Sequence, residues 1–150
     1  MSHSFACSRL HYVFSTKERR PLIPEEMESR LYKFVSVVAE KRGIKLMAIG
    51  GTSNHIHILI GLPSTMTLAD AIQAIKGVSS KWLNEQLGGR SRFAWQQGHG
   101  AFSVSCSHVE ATVAYIRNRK KHHATRTFEQ EFIAFLKKNN VDYDPRFVFG

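Results

Sequence analysis

The chain predicts an α+β fold on the ferredoxin-like (RRM-like) plan, a βαββαβ sheet with additional C-terminal helices. Three observations predict it. Alternation over 9–17 gives way to helical periodicity; two further strand-like runs are separated by only a short turn; and a second long helical segment leads to a short fourth strand, after which helical patterns continue. At 150 residues, with no repeat, linker or low-complexity tract, residues 1–150 read as one domain.

The elements follow in order. In RLHYVFSTK, Leu10, Tyr12 and Phe14 fall on one side and His11, Val13 and Ser15 on the other, a strand signal. RRPLIP breaks the chain, and EEMESRLYKFVSVVAEKRG reads as a helix with an apolar stripe of Leu31, Phe34, Val35 and Val38. Early glutamates suit its positive end, and Gly43 is a plausible stop. IKLMAIGG and HIHILIGL are strands joined through GGTSN. In TLADAIQAIKGVSSKWLNEQLGG, Leu68, Ala71, Ile72, Ile75, Val78, Trp82 and Leu83 fall near one helical face, and Gly88-Gly89 ends it. RSRFAWQQGHG leads to AFSVS, the fourth strand. Ser107 is a reasonable N-cap for a third helix reaching about His122, with Glu110 completing a capping box. TFEQEFIAFLKKNN makes a fourth helix, and VDYDPRFVFG reads as an extended tail.

Composition narrows the function classes. Twenty-one Lys and Arg against twelve Asp and Glu give a net charge of +9, which favours polyanionic partners through counterion release. No run approaches a membrane span and the N-terminus lacks the pattern of a signal peptide, so no membrane association is expected. Two distant cysteines, Cys7 and Cys106, fit a reduced, cytoplasmic protein and offer no CxxC metal site.

Two constellations carry chemistry. In SNHIHILIG, period-2 geometry puts His55, His57 and Leu59 on one face of a strand and Ile56, Ile58 and Ile60 on the other. Two imidazoles so placed can converge on one cation, or they can be polar residues on the wet face of an ordinary strand; the nine residues leave both open. In EATVAYIRNRKKHH, helical spacing groups Tyr115 with Asn118, Arg119, His122 and His123, beside Arg117, Lys120 and Lys121. A phenol among cations suits attack on a phosphodiester, since nearby positive charge favours its ionised form; the alternative is a ring packed at the edge of a basic, solvated helix. Together the two are worth more than either alone. A tyrosine nucleophile conserves bond energy as a phosphotyrosine, and a cation on the histidine pair would orient the phosphate.

These fragments, with HYVFSTKERRPLI, KGVSSKWLNE, FAWQQGHGAFSVS and the C-terminal segment, resemble the small single-tyrosine HUH transposases of bacterial insertion sequences and the related REP-associated tyrosine transposases. The resemblance runs over nearly the whole chain. It implies a single-stranded DNA transposase that cuts and rejoins strands beside a hairpin, acts as a homodimer, and can share each active site between subunits. It further implies that His55 and His57 bind Mg²⁺ or Mn²⁺ and that Tyr115 forms a 5′-phosphotyrosine.

One position departs from that pattern. The family usually carries glutamine one helical turn after the tyrosine, completing the metal site; here Arg119 stands, with no lone pair to give a metal. Three readings follow: Asn118, His122 or His123 ligates instead, Arg119 contacts phosphate, or the site is impaired. Retained strand transfer is the leading expectation. A non-catalytic single-stranded nucleic-acid binding module is the alternative, and a metal-dependent phosphoesterase that activates water is a third. The basic positions expected to contact DNA are Lys17, Arg19, Arg20, Lys81, Arg117, Arg119 and Lys120.

Overall fold

Strand pairing organises the molecule. In a computed structural model, which describes residues 6–88, 93–119 and 126–149, β1 (Arg9–Ser15), β2 (Lys45–Gly51), β3 (His55–Gly61) and β4 (Gly100–Ser103) form one antiparallel sheet. Its order is β2-β3-β1-β4, the expected ferredoxin-like arrangement. The helices among the described residues are α1 (Glu28–Lys41), α2 (Leu68–Gln86), α3 (Val109–Arg117) and α4 (Phe128–Lys138). None is long and apolar enough to cross a membrane.

Alternation decides which residues meet which helices. Tyr12, Phe14, Ile56, Ile58 and Ile60 pack with Leu31 and Val35 of α1 and Ile72 and Ile75 of α2 in the main core. The other face of the same strands carries Val13, which packs with Phe128, Phe132 and Leu136 of α4, and Leu59, which packs with Ile116 of α3. Both sheet faces are therefore covered, so β3 is buried from His55 to Ile60. The wet-face reading of its histidines does not hold.

Local signals held at several boundaries. Gly43 takes a φ of +74° at the end of α1, and Gly88 a φ of +100° after α2, conformations that glycine adopts at little cost. Thr127 caps α4 and forms a reciprocal capping box with Gln130.

Four expectations are corrected. Leu68, the first residue of α2, is 43% exposed, and burial begins one turn later at Ala71. The buried stripe includes Ser79 instead, tolerated because its hydroxyl donates to the Ile75 carbonyl and accepts from Trp95 Nε1. Ser107 does not cap α3. A 3₁₀ turn over Cys106–His108 precedes that helix, and the Ser107 hydroxyl lies 3.2 Å from His108 Nδ1. The α3 helix ends at Arg117, with the Asn118 amide bonded back to the Ala114 carbonyl; the expected extension to His122 falls outside the described residues. The C-terminal tail turns over 145–149 rather than running extended, because Asp144 accepts from the Arg146 amide and guanidinium while Tyr143, Val148 and Phe149 fold back onto α4.

Candidate metal and tyrosine site

The second sheet face gathers the chemistry. Antiparallel pairing sets His57 opposite Val13 and His55 opposite Ser15, which brings His11 of β1 beside His57. His55 and His57 are both fully buried. Each turns Nε2 toward one carboxylate oxygen, Glu131 Oε1 on α4, at 3.5 Å from His55 and 2.8 Å from His57. Ligand atoms of these three residues lie within 4.8 Å of one another.

The opposite nitrogen of each ring is also held. His57 Nδ1 lies 2.8 Å from His11 Nε2, while His55 Nδ1 lies 2.8 Å from Asn54 Oδ1 and 3.0 Å from Thr52 Oγ1. Outer partners of this kind fix the ring orientation and leave Nε2 to face a cation. Burial lowers the His57 pKa to about 4 against the opposing pull of the Glu131 hydrogen bond, so the ring is neutral at pH 7. Burial, with the nearby His57, lowers His11 to about 3. Burial alone would raise the Glu131 pKa, but hydrogen bonds from His55, His57 and Tyr115 outweigh it and hold the carboxyl well below its ordinary range. Two imidazoles and one carboxylate form a donor set that suits a divalent metal.

Tyr115 reaches the same carboxylate from α3. Its phenol donates to Glu131 Oε2, and the Arg119 guanidinium pairs with that oxygen while sitting 4.8 Å from the Tyr115 ring centroid. The expectation that cations would favour the phenolate is corrected here. Burial first, then the hydrogen bond and charge of Glu131, raise the Tyr115 pKa, and Arg119 opposes them without prevailing. The helix is seated by a close approach: a Cβ on Gly50 of β2 would lie 2.3 Å from the Ile116 carbonyl oxygen. Glycine at this point lets α3 lie against the sheet and presents Tyr115 to the site.

The remaining positions separate clearly. Arg119 is 1% exposed and faces Glu131, so it is not part of an open basic surface. Asn118 is exposed and bonds back to the Ala114 carbonyl, away from the histidines. His122, His123 and Lys120 lie outside the described residues. Lys17, Arg19 and Arg20 follow β1 beside the Asn54 turn that leads into His55. Arg19 is engaged by Glu129 at 3.4 Å and by the Phe149 ring, and Arg20 pairs with Glu18. Arg117 is exposed in the last turn of α3. Lys81 is exposed on α2, in the helix layer across the sheet from the histidines.

Sequence reasoning missed Glu131 and His11. A His-x-His pair announces itself by spacing, whereas Glu131 lies 74 residues beyond His57 in a helix that reads simply as amphipathic. One signal was present. Glu131 falls on the buried face with Phe128 and Phe132, where an unpaired carboxylate is costly and a partner should be sought.

Fold and site thus define a ferredoxin-like domain with a buried His-His-Glu cluster facing a tyrosine. Two solved structures share the fold: a putative transposase from Deinococcus radiodurans, with a TM-score of 0.65, 21% identity and coverage of 79% of this chain and 95% of that one; and a REP-associated tyrosine transposase bound to a REP hairpin, with a TM-score of 0.56, 14% identity and coverage of 85% and 74%. The transposases for insertion sequence element IS200 from Salmonella typhimurium and Salmonella typhi are each 26% identical over 104 residues, covering 66% of this chain and 68% of theirs. Residues 4–119 match the family described as "Transposase IS200 like", and the chain belongs to that family.

Proposed function

We propose that this transposase cleaves and rejoins single-stranded DNA through a 5′-phosphotyrosine on Tyr115, with Mg²⁺ or Mn²⁺ held by His55, His57 and Glu131. The observation that carries this reading is one carboxylate, Glu131, whose two oxygens face the histidine pair and the tyrosine phenol. When bound there, a divalent ion supplies Lewis-acid polarisation of the scissile phosphate. Tyr115 Oη attacks phosphorus as its proton passes to Glu131 Oε2. The new oxygen–phosphorus bond leaves the phosphorus attached to the 5′ oxygen, the bond to the 3′ oxygen breaks, and water protonates that oxygen to release a 3′-hydroxyl. Arg119 offsets negative charge as it develops beside the ring. Rejoining runs the same step backwards, with a 3′-hydroxyl displacing Tyr115.

The substrate we propose carries a hairpin next to the unpaired strand, supported by the hairpin complex of the structural relative. Lys17, Arg19, Arg20, Arg117 and Lys120 are proposed to hold phosphates, with Lys81, across the sheet, as an outlying position. A homodimer is proposed from the family; in the single chain described, Tyr115 already meets Glu131 of its own subunit.

The test is a hairpin-bearing oligonucleotide incubated with the protein and Mn²⁺ and resolved on a denaturing gel. A covalent adduct is expected that vanishes in Tyr115→Phe while binding persists. Cleavage without an adduct would establish the water mechanism instead. One observation favours the non-catalytic module, the Arg119 charge against Glu131, and binding with neither cleavage nor adduct would establish that reading.

A further inference from the structure

Beside Tyr115, α3, β4 and α4 enclose a cleft of about 550 Å³, within the size range of sites that take small organic groups. One wall is the α3 face carrying Ala111 and Tyr115. The other is the α4 face carrying Ala134, Phe135 and Lys138, and Phe102 of β4 lies between them. The cleft exists because alanines line both helical walls, where larger side chains would fill the gap. Phe102 stacks on Phe135 with centroids 5.5 Å apart, and Phe135 meets the Tyr115 ring edge-on at 5.9 Å.

The order of groups along α4 matters. Glu131, Phe135 and Lys138 share a helical face, so a carboxylate of the candidate metal centre, an aromatic ring and a cation succeed one another over roughly 10 Å. Lys138 and Arg126 are both exposed on the lining of the cleft. A nucleotide has the matching parts: a phosphate, a flat aromatic base and a second phosphate. The hydroxyls of Ser103 and Ser105 add polar groups that can meet a base edge.

We propose that this cleft takes the base of one unpaired nucleotide flanking the scissile phosphate. The base packs against Phe135 and Phe102, and its far phosphate turns toward Lys138 and Arg126. The inference rests on the reading of Tyr115 as the nucleophile and adds a specificity site to it. A base paired in a duplex cannot enter, so the cleft selects an unpaired strand and holds it in register with Tyr115.

The experiment measures binding alone, so it stands apart from catalysis. Fluorescence anisotropy is recorded for Tyr115→Phe protein without added metal, on a hairpin oligonucleotide and on a series with each unpaired-arm nucleotide in turn made abasic. One abasic position is expected to weaken binding about tenfold or more. Ala111→Trp, a substitution at an exposed position, should weaken binding of the intact strand and erase its advantage over that abasic strand. Lys138→Gln should flatten the log-affinity against log-salt slope by roughly 0.7. An abasic profile that is flat while binding persists would overturn the cleft assignment and leave the transposase reading intact. So would an Ala111→Trp protein with an unchanged profile. Failure to bind any unpaired strand would overturn the functional reading itself, and the cleft assignment with it.

Discussion

The two faces of the sheet are built from alternate residues of the same strands, yet they do different work. The face under α1 and α2 buries one continuous apolar cluster that includes Tyr12, Phe14, Ile56, Ile58 and Ile60. The face under α3 and α4 has two smaller apolar clusters, and between them it buries His11, His55, His57, Glu131 and Arg119. Burying charge costs free energy unless every partner is in place, so the second face is held by an interlocked polar network. The comparison teaches that apolar burial is concentrated on one face, while the other gives up apolar packing to hold polar groups in register.

The largest expected effect comes from breaking that network at its centre. Glu131→Ala leaves the Arg119 charge buried without its carboxylate, and removing one partner of such a pair costs about 3–5 kcal/mol. Denaturant melts should show that loss together with disappearance of the covalent adduct. On the opposite face, Ile58→Ala should cost about 2–5 kcal/mol in the same melts. Per folded molecule, its adduct yield should be unchanged; a lower yield would show that the two faces are coupled more tightly than their packing implies.

His11→Ala probes the outer partner of His57. Loss of such a partner typically lowers metal affinity about 10–100-fold, measurable by calorimetric titration with Mn²⁺. Smaller still is Arg119→Gln. With the competing guanidinium gone, Mn²⁺ affinity should tighten roughly tenfold, about 1.4 kcal/mol. Weakened affinity would mean that Arg119 orients Glu131 for the metal instead of competing with it.

Much of the fold was legible because its signals are local. Period-2 alternation located β1 and β3, helical stripes located α1 and α2, and Gly43 and Gly88 stopped helices where left-handed backbone was needed. The misreadings also have local causes. Ser107 has the residue type of a cap, but its hydroxyl interacts with His108 Nδ1 in a preceding 3₁₀ turn, and Leu68 fits the stripe of α2 but sits in its first turn, before burial begins.

The sequence by itself determined the succession of strands and helices, the histidine pair on one strand face and the tyrosine on a helix, because each depends on spacings of two to four residues. Only the tertiary structure decided that this face is buried, that His11 stands behind His57, and that Glu131 joins the histidines to Tyr115 while Arg119 closes on it. The physical reason is separation along the chain. Residues 46 and 74 positions apart meet through sheet register and helix packing, which every core side chain sets together and no short motif records.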